Sequence, residues 1–183
     1  MTLIELLLAL AGTAMVGVAI ATMLVAVAYG TQSDKDLRTL VVKYKTVDGR
    51  VSASLRGSHM VLAQGSDYLV LWMFDTDGSA APNLSEIRRI ECANGVLTSY
   101  KAPDNLDPLY DVAYALADDF DAITAAIKGD ATFPGEIWAT DVTDWTIALN
   151  ENDPQAATLV SYRLTFQAGI LSDIAINAVA LRN

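Results

Sequence analysis

Met1-Thr2-Leu3-Ile4-Glu5-Leu6-Leu7-Leu8-Ala9-Leu10 opens an apolar run that continues to Tyr29-Gly30 with one charge, Glu5, and no Lys or Arg before Lys35. From Leu6 to Ala28 nothing is more polar than Thr13 and Thr22. As a helix, roughly 23 residues at ~1.5 Å each extend about 34 Å, enough for a hydrocarbon layer of about 30 Å. The stretch therefore predicts a membrane-spanning helix with a carboxylate in its first turns. A carboxylate at the centre of such a helix costs on the order of 2.5–3.5 kcal/mol, less near an end. At the front, Glu5 is expected either to complement the helix dipole or to meet a cation. One helical turn away in a neighbouring copy, the α-amino group of Met1 is the candidate cation.

Outward from this segment, Leu37, Leu40, Val41, Tyr44, Val47, Val51, Leu55 and Leu62 recur mostly at steps of three and four, an amphipathic stripe of helical period. No proline precedes Pro82, so one helix is allowed from about Thr2 to about Ala63, with Gly65 at the position of a C-cap. Gly30 is the expected bend, and Gly49 and Gly57 are expected where a head packs closely. Gly12 and Gly17, among several alanines, predict close helix–helix approach.

Beyond the helix the signals turn to β. Tyr68 to Phe74 reads as a strand, and Asp75 to Ser79 as a turn. Glu86–Cys92 and Val96–Lys101 flank Asn94-Gly95 as a hairpin. Ala113, Leu116, Phe120, Ile123 and Ile127 predict a short helix ending near Lys128-Gly129. Ile137–Leu149, Leu159–Phe166 and Asp173–Leu181 read as three further strands. Three divisions follow: residues 1–30 as an apolar helix, 31–64 as its amphipathic continuation, and 65–183 as a β-rich head.

Composition excludes several classes. The net charge is −10, and between Asp104 and Asp153 twelve acidic residues face a single basic one, Lys128. Such a surface repels phosphate, so no nucleic-acid partner is expected. The helix at residues 34–56 is net basic, six cations against three acids. That charge is expected to meet acidic heads of neighbouring subunits or simply to form solvated helix faces. One cysteine, Cys92, allows no intrachain disulfide and reads as a small buried hydrophobe. His59 is the only histidine, so a His-based metal centre or catalytic triad lacks material. Asp75-x-Asp77-Gly78 lacks the remaining ligands of a calcium loop. No catalytic residue, cofactor or metal site is expected, the acidic loop Asn150 to Asp153 being the one calcium candidate.

Met1 to Leu10 resembles the mature N-terminus of type IV pilins and pseudopilins, with Thr2, Leu3, Ile4, Glu5 and Leu6 matching that family's pattern over about thirty residues; Met1 stands where Phe is commoner. The lack of an upstream basic residue favours reading Met1 as the mature end. The resemblance implies an α+β, pilin-like fold: a long N-terminal α-helix, membrane-spanning in its first half, packed on a mainly antiparallel β-sheet head. It also implies a prepilin peptidase and pilus assembly machinery as partners, N-terminal methylation at Met1, and residence in the inner membrane before assembly. The expected product is a homo-oligomeric helical filament on the cell surface, with Glu5 and Met1 at the assembly contact. The stretch from Ala139 through Phe166 more loosely resembles minor pseudopilins of type II secretion. Two alternatives therefore stand beside the pilin: a secretion pseudopilin, and a single-pass membrane protein with an outer sensing or binding domain.

Overall fold

The structure, a computed structural model, describes residues 3–75, 78–168 and 171–182. The chain divides into two compact units, Met1–Thr39 and Leu40–Asn183. Helix α1 is Leu3–Gly57. In the first unit the side chains described are those of Ile4, residues 13–25, Val27, Arg38 and Thr39.

The second unit holds two antiparallel sheets. The first is a five-stranded meander of β1 (Met60–Gln64), β2 (Tyr68–Trp72), β3 (Ile87–Ala93), β4 (Val96–Lys101) and β5 (Gly135–Ala139), ordered as in the chain. The second contains β6 (Val142–Leu149), β7 (Leu159–Ala168) and β8 (Leu171–Ala180). A short helix, α2 (Phe120–Ile127), starts at Asp119, whose carboxylate accepts from Ala122 N at 3.1 Å, satisfying one of the amides that a helix start leaves open.

Strand alternation explains how this unit is layered. On β2, Leu69 and Leu71 join one core cluster while Val70 and Trp72 join another, because successive side chains leave a strand on opposite faces. The first cluster takes Leu40, Val47, Val51 and Leu55 from α1 and Trp145, Tyr162, Leu164 and Phe166 from the second sheet. The second takes Phe120 of α2 and Phe133 from the long segment before β5. The meander is buried on both faces. That is why residues 68–72 read as an unbroken apolar run, whereas β8 alternates. At the β3–β4 hairpin, Ala93 pairs with Val96, and Asn94 (φ 52°) and Gly95 (φ 76°) make the turn. Both central residues are left-handed, as the type I′ turn requires.

The expected fold needs correction. Among the described residues no helix is long and apolar enough to cross a membrane. Nor is the head built on one sheet: among the described residues eight strands in two antiparallel sheets make it a β-rich domain. The expected strand Ile137–Leu149 breaks at Thr140-Asp141, where Asp141 adopts φ 64°. Its two halves then enter different sheets as β5 and β6.

The C-terminal end of α1 also differs from the periodic reading. The helix stops at Gly57, Ser58 turns its hydroxyl onto Leu55 O (2.7 Å), and His59 N donates to Trp72 O (2.7 Å), which starts the β1–β2 pairing. Gly65 is therefore no helix cap but part of the β1–β2 turn. A Cβ there would come within 2.2 Å of the Tyr68 ring. Gly49 faces open space, so close packing does not explain it, while Gly57 meets Met73 and Phe74 at ordinary contact distance.

Candidate functional site: an apolar helix and a self-contained head

Of the residues expected to mediate assembly, Met1 lies outside the described residues, as do the side chain of Glu5 and the surroundings of Gly12. Gly17 lies in α1, and a Cβ added there would meet nothing within 4 Å. Around it the described apolar side chains are exposed throughout: Met15 76%, Val16 60%, Val18 64%, Ile20 56%, Met23 70% and Leu24 64%. Successive helical residues are rotated by about 100°, so these positions, with Val25 and Val27, surround the axis instead of forming one stripe. The Thr22 hydroxyl donates back to Ala19 O at 2.9 Å and offers no polar face. A helix apolar on all sides is stable only when enclosed, and an exposed apolar surface of this extent marks an interaction site. Enclosing eight such side chains is worth on the order of 10 kcal/mol before the entropy of association is subtracted. Gly17, with Ala14, Ala19 and Ala21 nearby in sequence, permits a second helix to approach closely.

The head neutralises much of its own charge. Lys43 on α1 donates to Asp141 (2.8 Å) and Thr140 (2.9 Å), and Arg50 pairs with Glu136 (2.9 Å). The Lys43 contact holds the Asp141 carboxyl below its ordinary range, first through the hydrogen bond from the ammonium. These two helix cations are thus engaged within the chain, neither free for a neighbouring subunit nor merely solvated. Tyr162 on β7 donates its hydroxyl to the Asp48 carboxylate and lies 2.8 Å from the Ser52 hydroxyl, which accepts from Asn177 at 3.0 Å. Burial, and next the hydrogen bond to Asp48, push the Tyr162 phenol well above its usual range.

On the other face of the meander, the Arg89 guanidinium is nearly sealed. It donates to Glu91 (2.7 Å), Asp121 (2.8 Å) and the Thr124 hydroxyl (3.0 Å) and stacks on the Tyr68 ring at 4.1 Å. Lys128 completes the cluster at 2.7 Å from Glu91. Burial opposes the charge on Glu91, but the hydrogen bonds from Lys128 and Arg89 outweigh it and hold the carboxyl below its ordinary value. Asp121 is lowered chiefly by the Arg89 hydrogen bond, while burial and the hydrogen bond to Asp121 raise Tyr68 to about 12. Every charge here has a partner, and the cluster fastens α2 to the sheet.

The remaining sequence candidates have structural roles. His59 lies just past the helix, its ring edge-on to Trp72 with centroids 4.9 Å apart. Cys92 is half-buried beside the first core cluster, and burial raises its thiol pKa. In the acidic loop, Asn150 Oδ1 accepts from Thr158 N and Leu159 N, and Asp153 accepts from Gln155 N. Both side chains are thereby occupied in shaping the turn. Asp75 similarly accepts from Ser79 N and Ala80 N, while Asp77 lies outside the described residues. Among the described residues no group of three or more His, Cys, Asp or Glu could hold a metal ion. The segment after Pro103 carries an exposed apolar tip, Leu109 and Tyr110, that the periodic signals do not mark; the Leu-Tyr pair between Asp107 and Asp111 is the signal the sequence offers. No protein-family model matches the chain, and neither a curated protein nor a solved structure does.

Proposed function

We propose that this chain is a structural subunit of a type IV pilus-like filament and not an enzyme. The observation that carries the reading is the all-round apolar, exposed helix of the first unit, preceded by the Glu5-bearing stretch Met1 to Leu10. Such a helix has no stable solitary state in water. A bundle of identical helices encloses it, with Gly17 and its neighbouring alanines allowing close approach. Glu5 meets the N-terminal amine of a neighbouring Met1, so enclosure leaves no unpaired charge; removing one partner of a buried pair costs about 3–5 kcal/mol. The subunit waits at the inner membrane, a prepilin peptidase prepares its N-terminus, and the assembly machinery adds it to a fibre on the cell surface with the acidic heads outward.

The test is Glu5→Ala in cells producing the full chain. Fibres should disappear while subunits accumulate at wild-type level. Unchanged fibres would overturn the reading, as would a purified native chain whose intact mass includes an uncleaved leader.

A further inference from the structure

Arg88 is adjacent in sequence to the fully paired Arg89 but leaves the strand on the other face. Its Nη1 donates to Ser54 at 2.7 Å and its guanidinium lies 5.9 Å from the centre of the Trp138 ring. Its Nε is shut off from solvent without an acceptor, and among the described residues no carboxylate lies within 4 Å, Glu136 and Asp104 acting on it only at longer range. Burial lowers its pKa. This guanidinium lines a groove of about 470 Å³ together with Met73, Phe74 and Trp138. The two rim cations are already matched, Arg50 by Glu136 and Lys101 by Asp104, each at 2.9 Å. The groove therefore carries one uncompensated positive charge above an apolar and aromatic floor, in a chain of net charge −10. A half-buried cation without a counter-ion is costly unless an anion arrives.

The complementary shape lies on the same chain. Leu109 is 80% and Tyr110 54% exposed at the tip of the segment after Pro103. Asp111 holds the root of the tip by accepting from both the amide and the hydroxyl of Ser85, each at 2.8 Å. Asp107 accepts from Leu109 N with one oxygen at 3.0 Å, and its second oxygen has no partner among the described residues. Asp107-Pro108-Leu109-Tyr110 thus presents one available carboxylate beside two exposed apolar side chains.

We propose that the 107–110 tip of a second copy of this chain docks in the Arg88 groove, Asp107 pairing with Arg88 and Leu109 and Tyr110 covering Phe74 and Trp138. A small-molecule carboxylate would satisfy the charge alone. A second copy also accounts for the solvent-facing apolar tip. Charge complementarity fixes the register, and contact with the aromatic floor excludes water from the pair.

The inference is tested with the full chain in a Cys92→Ser background. Two differently tagged populations are co-produced, one carrying Leu109→Cys and the other Phe74→Cys, and are oxidised mildly with copper–phenanthroline. The expected result is a mixed disulfide dimer well above the yield from a control pair of Leu109→Cys with Ile176→Cys, an exposed position on β8. Arg88→Gln on the Phe74→Cys chain should lower that yield about tenfold, the factor equivalent to losing a charge-assisted hydrogen bond. Asp107→Asn on the other chain, which keeps the acceptor for Leu109 N, should do the same without touching the groove. A yield equal to the control, or one indifferent to both substitutions, overturns the inference. Fibres without the cross-link leave the filament reading standing and refute this contact; the cross-link in chains that make no fibres does the reverse.

Discussion

Replacing Arg89 by Met tests whether the buried ion cluster holds α2 to the meander. Arg89 and Glu91 have side-chain exposures of 4% and 7%, whereas Asp121 is 44% exposed. Losing the Asp121 contact is screened by water and contributes less than about 1 kcal/mol. Losing the Glu91 contact leaves a sealed carboxylate with Lys128 alone, and breaking a buried pair costs about 3–5 kcal/mol. Lys128 still compensates part of the charge at 2.7 Å, so the low end applies, about 3 kcal/mol in all. For a unit of this size each kcal/mol lowers Tm by about 2–4 °C, hence a fall of about 6–12 °C. Near-UV circular dichroism of the full chain in mild detergent reads the head selectively, because Trp72, Trp138 and Trp145 all lie there. The double variant Arg89→Met with Glu91→Leu should recover most of the loss, since it removes the stranded charge along with its partner. A single variant within about 1 °C of the parent would refute the reasoning, as would a double variant whose loss is the sum of the two single losses.

Tyr162→Phe removes the hydroxyl that gathers Asp48 and Ser52, and leaves the buried Ser52 hydroxyl and the half-buried Asp48 carboxylate to find other partners. Denaturant titration should show about 1–3 kcal/mol less stability with an unchanged m-value. Acid should weaken the head through the Arg89 cluster. Glu91 and Asp121 have folded-state pKa values below their ordinary 4.5 and 3.8, so their stabilisation is fully present above those values and is lost as pH falls through the lower folded ones. Tm recorded from pH 6 downward should hold until near 4.5 and then fall. In Arg89→Met that acid-dependent loss should be smaller, and an equal loss would place the sensitivity elsewhere.

Local chemistry in the chain was sufficient for several elements. Asn94-Gly95 determined a hairpin because its two residues accept left-handed backbone, and the spacing of Phe120, Ile123 and Ile127 announced α2, although Ala113 and Leu116, which share that spacing, lie outside it, before the Asp119 cap. The apolar first thirty residues likewise predict, before any folding, a surface that seeks cover. Tertiary contacts decided the rest. Leu62 continued the helical spacing, yet Met60–Gln64 became a strand because the backbone of Trp72 was available to pair with it. Asp141 turned one apparent strand into two, a consequence of its positive φ and of the Val142 N to Gly95 O bond (3.0 Å) from the far hairpin. Arg88 and Arg89 are indistinguishable as neighbours in a sequence. Only the pleat, by sending one into an ion cluster and the other into an unmatched aromatic groove, gave them different work, because burial and partners are properties of the assembled faces and not of the residues themselves.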